Sequence, residues 1–235
     1  MKPLGKLYMI PLPIVDGALQ TLSPEVRTET VHIKHFFAEN ARTGRRFIKL
    51  LHPTLVIDTL QFSEIDKHTG ADTKLLLDWL KEGSDVGVMS EAGCPGIADP
   101  GAILAGIAHT IGAHVVPLTG PSSLILALMA SGLNGQSFCF KGYIPVKEPA
   151  RGQYIKAMEN ASRKEQQTQL FIETPYRNNN MLNDLVKNCN GNTRLCIAES
   201  IGAPDAFIKT QTIDEWKKNQ PDLKKAPAVF LLLAR

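Results

Sequence analysis

Two stretches of this chain carry residue types suited to close contact with a small ligand. The first runs Val88-Met-Ser-Glu-Ala-Gly-Cys-Pro-Gly-Ile-Ala-Asp-Pro-Gly101. Its glycines and prolines let the backbone turn tightly and approach a bound group. Glu91 and Asp99 add carboxylates that can accept from a ribose or face a cation. Ser90–Gly93 reads as ligand-binding, whereas Asp99, just before Pro100, reads first as a helix N-cap. The second stretch is Val116-Pro-Leu-Thr-Gly-Pro-Ser-Ser-Leu-Ile125. The N–H groups at a helix start can bind polar ligand atoms. On spacing alone, Ser122 and Ser123 suit that role and plain N-capping equally.

Several other chemistries are excluded. Gly-x-Gly-x-x-Gly is missing, so a dinucleotide site of that kind is not expected, and there is no phosphate-binding Walker loop. There is no Gly-x-Ser-x-Gly elbow and no Cys/His nucleophile arrangement. Cys94, Cys139, Cys189 and Cys196 form no CxxC pair, which points to reduced, mostly buried thiols. The histidines are scattered and His32 and His35 lack a third ligand, so no metal is expected.

Alternating strand-like and helix-like segments position these loops. Strands are expected at Lys6–Ile10, Val31–Phe37, Leu55–Leu60, Asp85–Met89 and His114–Pro117. Helices are expected at Arg42–Leu51, Thr73–Glu82 and Pro100–Ile111, the last closed by Gly112. The first loop thus joins a strand to a helix, where ligands sit in an open α/β sheet. After Pro121 comes a run from Ser123 to Ala130, ending at Gly132. It is apolar nearly all round and is expected to form a buried helix. Strands at Ser137–Tyr143, Gln169–Glu173, Arg194–Ser200, Ala206–Gln211 and Ala228–Leu233, with helices at Ala150–Ser162 and Asn178–Asn188, complete the pattern. The fold class is α/β, with a mostly parallel first sheet and a mixed second one. An N-terminal α/β lobe is expected over 1–118 and a C-terminal one over 119–235.

The 235 residues suit two such lobes. No apolar run approaches the roughly 18 residues of a membrane helix. Met1–Tyr8 has no leader-peptide pattern, so a cytoplasmic location is expected. The formal charge is +3. From Phe140 to Arg235 there are 15 Lys/Arg against 10 Asp/Glu, leaving 11 against 13 elsewhere. That mild basic bias suits a polyanion such as RNA and suits an ordinary solvated surface as well.

The motifs in their order resemble the tetrapyrrole methylase superfamily, and most closely its ribosomal RNA methyltransferase branch. The branch pattern V-S-D-A-G-T-P-x-I-S-D-P-G corresponds to the 88–101 stretch, V-M-S-E-A-G-C-P-G-I-A-D-P-G. V-V-P-L-P-G-P-S-A becomes V-V-P-L-T-G-P-S-S at Val115–Ser123, and F-x-F-x-G-F-L-P becomes F-C-F-K-G-Y-I-P at Phe138–Pro145. F-Y-E-S-P-H-R becomes Phe171–Arg177, and A-R-E-L becomes Ala198–Ile201. The N-terminal third departs from the pattern. Where P-T-P-I-G-N-L-x-D stands in the family, this chain reads Pro11-Leu-Pro-Ile-Val-Asp-Gly-Ala-Leu19. A-E-D-T-R becomes Ala38-Glu-Asn-Ala-Arg42. The chain also stops soon after Leu233, short of the extra region that many members carry.

The resemblance implies two αβα lobes with S-adenosyl-L-methionine in the cleft between them, usually in a homodimer. It implies cofactor contacts from Leu12, Pro13 and Ile14; from Ser90, Glu91, Ala92, Gly93 and Cys94; from Ser122, Ser123 and Leu124; and from around Phe140 and Tyr176. The activity implied is methylation of a cytidine ribose 2′-oxygen in small-subunit ribosomal RNA, as the free RNA or in the subunit. A hydroxyl is a poor nucleophile unless a base takes its proton or a cation lowers its pKa. Glu39, Arg42, Glu173, Arg177 and Glu199 in the matched motifs are the catalytic candidates. Arg42 and Arg177 suit phosphate binding too. Glu173 and Arg177 can also pair with each other, although Pro175 argues against a helical pair. A methylase of a tetrapyrrole or other small molecule, and a cofactor-binding protein with little activity, are the competing readings.

Overall fold

The computed structural model describes residues 2–66 and 70–235. Met1, which opens the segment read above for a leader pattern, lies outside them. The chain divides into two compact units, Met1–Ser122 and Ser123–Arg235. Among the described residues no helix is long and apolar enough to cross a membrane.

The first unit is a five-stranded parallel sheet with helices on both faces. Its strands are β1 (Leu7–Met9), β2 (His35–Ala38), β3 (Gln61–Glu64), β4 (Val86–Met89) and β5 (Val115–Pro117), in the order β3-β2-β4-β1-β5. Its helices are α1 (Pro24–Thr30), α2 (Ala41–Leu51), α3 (Thr73–Lys81) and α4 (Gly101–Thr110). Alternation along the strands separates two cores. Tyr8, Ile10 and Phe36 pack with Phe47, Ile48 and Leu51 of α2. Leu7, Met9, Phe37 and Val88 pack with Leu76, Trp79 and Leu80 of α3 and Leu104 of α4.

The second unit is a mixed sheet. Its strands are β6 (Phe138–Tyr143), β7 (Thr168–Glu173), β8 (Arg194–Glu199), β9 (Phe207–Thr212) and β10 (Ala228–Leu233), in the order β6-β7-β10-β8-β9. Only β6 and β7 run parallel. Helices α6 (Ala150–Glu165), α7 (Asn178–Asn188) and α8 (Ile213–Lys218) supply one face. Helix α5 (Ser123–Ser131) covers the other through Ala127 and Leu128.

Three expectations are corrected. The Leu55–Leu60 strand is a loop with a single 3-10 turn at Ile57–Thr59, and Val56 is exposed. The strand comes next, at Gln61–Glu64, on the polar edge of the sheet. The Val31–Phe37 strand shrinks to His35–Ala38, because α1 runs to Thr30. Helix α1 starts as Ser23 accepts from the Glu25 amide with Pro24 at the first position. Helix α5 is not buried all round, for Ile125 and Met129 are 45% and 75% exposed.

Candidate functional site

The parallel register sends the chain out at the same edge after β1, β4 and β5, which are neighbours in the order β4-β1-β5. The three loops that leave there are stitched together. Leu12 and Gly93 exchange backbone hydrogen bonds, N to O at 2.9 Å and 3.0 Å, as an isolated antiparallel bridge. Gly93 has φ of +73°, a conformation in which glycine carries no steric penalty. The next residue, Cys94, directs its Sγ at the carbonyls of Pro121 (3.4 Å) and Gly120 (3.8 Å). Burial, then Asp99, pushes the Cys94 thiol pKa up, so it stays protonated and can donate. Gly120 lies against Pro11 so closely that a Cβ there would fall 2.3 Å from the Pro11 Cβ.

The rest of the 88–101 loop is held by its own side chains. The Ser90 hydroxyl donates to the Ala92 carbonyl at 3.1 Å. The Asp99 carboxylate accepts from the amides of Gly96 (2.8 Å) and Gly101 (2.7 Å). Asp99 is therefore not the N-cap: Pro100 takes that position without a side-chain bond, and Asp99 clamps the loop from one residue earlier. Ala98 has φ of +66°. A non-glycine residue in that region is strained unless its surroundings hold it, and here the Asp99 clamp brackets it.

Beside these loops lies a cavity of about 370 Å3, lined by first-unit residues, a size within the range of small-molecule sites. Leu12, Pro13, Ile14, Glu91 and Ala92 form the wall shared with the stitched loops. Asp16, Gly17 and Leu19 close a second side, and Thr43, Arg46, Phe47 and Leu50 of α2 a third. Asn40 starts α2, accepting from the amides of Arg42 and Thr43 at 3.0 Å and 3.1 Å. It stands at the acidic position of the family pattern and caps as well as aspartate would. Glu39, half-buried just before it, accepts from the Glu91 amide at 3.1 Å. This carboxylate is thereby tied to the loop after β4.

Helix α2 carries Arg42, Arg45, Arg46 and Lys49, all exposed, and no acidic residue. A charge count by chain halves misses this cationic face, because acids elsewhere in the first unit cancel it. Neither did the sequence single out Asp16 and Arg46, which form an ion pair at 2.6 Å; residues thirty apart give no local signal of meeting.

The remaining candidates belong to the second unit. Glu173 and Glu199 both pair with Ala228 on either side of β10, so their side chains share the face covered by α7. Glu173 is buried and forms an ion pair with Arg177 at 2.5 Å, across the 3-10 turn Pro175–Arg177. The turn makes the pairing possible that Pro175 denies to a regular helix. Glu199 is buried, and its carboxyl pKa is raised, by desolvation first. Ser200, which follows, has φ of +54°. Leu124 and Phe140 pack together with Leu128 and Leu170. Tyr176 is 79% exposed, with the Lys225 Nζ 5.6 Å from its ring centre. Ser122 and Ser123 are half-buried where α5 begins. Cys189 and Cys196 are buried, whereas Cys94 and Cys139 are only partly so. Among the described residues no group of three or more His, Cys, Asp or Glu could hold a metal ion.

No family model matches the chain. Individual proteins do. The chain is 30% identical over 232 residues to "Ribosomal RNA small subunit methyltransferase I" of Escherichia coli O157:H7, covering 97% of this chain and 77% of that protein. The protein of the same name from Vibrio cholerae is 29% identical over 229 residues, covering 96% and 76%. Among solved structures, diphthine synthase superposes with a TM-score of 0.68 at 14% identity, covering 98% of this chain and 90% of the other. The methyltransferase CobJ does so at 0.63 and 17%, covering 98% and 94%. At these identities the structural likeness speaks for the two-unit fold.

Proposed function

The chain belongs to the ribosomal RNA small subunit methyltransferase I family, and from that premise we propose that it methylates a ribose 2′-oxygen of small-subunit ribosomal RNA. S-adenosylmethionine is the cofactor, and it supplies a methyl group already activated by the sulfonium charge. The observation that carries the reading is the stitching of the loops at 12–14, 90–94 and 120–122 into one platform. The platform fits such a cofactor. Its contact surface is mostly backbone and small side chains, and Gly93 and Gly120 keep it open where a Cβ would be strained or would clash.

The protein's part is alignment, because a correctly placed nucleophile reacts far faster than a free one. Leu12, Pro13, Ile14 and Ser90–Cys94 hold the cofactor from the first unit, with Ser122 beside them. We assign the base to Glu39, the candidate carboxylate bonded to the cofactor loop. Arg42, exposed in the first turn of α2, is assigned to the RNA backbone. Glu173 and Arg177 neutralise each other, and Glu199 is buried with its charged form disfavoured; these three serve the second unit's structure. The cationic face of α2 favours RNA over a tetrapyrrole. The resemblance further implies a homodimer, which sedimentation would test.

The deciding experiment is mass mapping of small-subunit RNA from a strain lacking the gene. One missing ribose methyl, restored by the purified protein with S-adenosylmethionine, is the expected result. An unchanged map removes the RNA reading, and calorimetry without cofactor binding removes the methyltransferase reading altogether.

A further inference from the structure

We infer that the first-unit cavity seats the target nucleotide, with Arg46 as its phosphate contact and Asp16 as a latch that the phosphate displaces. The inference rests on the RNA reading above. Phe47, Leu50 and Leu19 give the cavity an apolar wall against which a base can lie, and about 370 Å3 leaves room for one nucleoside. It is also lined by Leu12–Ile14 and Glu91–Ala92, from the two loops assigned to the cofactor. A nucleotide here therefore has its ribose beside the group that modifies it.

Among the cations of α2, Arg46 is the one that lines the cavity. Arg45 lies 5.4 Å from the Phe62 ring centre, and the Lys49 ammonium donates to the Leu55 carbonyl. The partner of Arg46 is Asp16 at 2.6 Å, with the two side chains 63% and 78% exposed. An ion pair so open to water holds its members weakly. A phosphate offers the guanidinium the same charge with a better-matched pair of oxygens. Glu91, the other carboxylate among the lining residues, disfavours a phosphate beside it and leaves Arg46 as the cationic side chain lining the cavity. Arg42, Arg45 and Lys49, exposed on the same helix, add to the positive field that a phosphate meets. Asp16 stands where the family pattern has the asparagine of G-N-L, so a carboxylate replaces an amide at the one place where Arg46 finds its counter-charge. The latch keeps Arg46 extended over the cavity and weakens binding of RNA that lacks a well-placed phosphate.

The test uses the full chain, S-adenosylmethionine, and small ribosomal subunits from a strain lacking the gene. Arg46→Ala should raise KM for the subunits about tenfold, with a smaller effect on kcat. It should also flatten the slope of log affinity against log salt by about one. Asp16→Asn should lower KM severalfold, and should do nothing in the Arg46→Ala background. Cofactor affinity, read by calorimetry, should match the wild type in all three. A wild-type KM and salt slope for Arg46→Ala overturn the seat. A rise in KM for Asp16→Asn overturns the latch, since the pair would then be structural. Wild-type protein that binds cofactor but transfers no methyl to the subunits overturns the RNA reading and the seat with it. Transfer that Arg46→Ala leaves untouched overturns the seat alone.

Discussion

Replacing Gly120 by alanine adds one methyl group where the loops after β1 and β5 touch. The new Cβ would lie 2.3 Å from the Pro11 Cβ and 2.4 Å from its Cγ, against the 3.4 Å at which ordinary contact begins. The obstacle is a proline ring in a buried residue at the end of β1, with none of the freedom of a long side chain. The loops must therefore separate by about 1 Å. Gly120 has no left-handed φ, so backbone strain plays no part and the effect is steric. Without the clash, Gly→Ala would stabilise by about 0.4–1 kcal/mol through the unfolded chain. Overpacking instead costs about 1–3 kcal/mol. The separation also draws the Gly120 carbonyl away from Cys94 and disturbs the bridge between Gly93 and Leu12. Misplacement on that scale lowers catalysis about a hundredfold. Thermal unfolding with and without S-adenosylmethionine, paired with calorimetric titration, reads both parts. The expected outcome is a lower Tm and a cofactor-induced shift that is largely lost. If Gly120→Ala binds the cofactor with wild-type affinity, the loops are not coupled and the platform argument fails.

Two further changes separate catalytic from structural carboxylates. Glu39→Gln keeps an oxygen to accept from the Glu91 amide but cannot take a proton; kcat should fall at least about a hundredfold while cofactor affinity holds, and an unchanged kcat moves the base elsewhere. Arg177→Met leaves Glu173, whose side chain is 1% exposed, without its counter-ion. Urea unfolding should show a loss of about 3 kcal/mol, largely recovered by adding Glu173→Gln, and a loss below about 1 kcal/mol would show the pair to be dispensable.

Much of the fold was legible because burial imposes a period. Leu75, Leu76, Trp79 and Leu80 mark α3 by spacing, and Val86–Met89 is apolar throughout because both faces of β4 are covered. The failures have physical causes. Leu55–Leu60 is the more apolar run, yet the neighbouring edge position went to Gln61–Glu64, where one side meets water and polar residues are tolerated. Helices α1 and α8 are too short to show a period, although Ser23-Pro24-Glu25 and the capping box Thr212–Glu215 announce their starts. The close approach of the glycine- and proline-rich loops was legible, since such residues permit it. The cavity was not, because Arg46, Asp16 and Glu91 come from three segments and meet only through the sheet order.

That sheet order also bears on when each unit can exist. The first sheet closes with β5 and is complete once Pro117 has been made. In the second, β10 lies between β7 and β8, so the strand made last is the keystone rather than an edge. A chain halted before Ala228 holds only two separate ribbons, β6 with β7 and β8 with β9, and two-stranded ribbons are marginal by themselves. Vectorial synthesis thus delivers the stitched loops of the first unit before the second unit has a sheet at all.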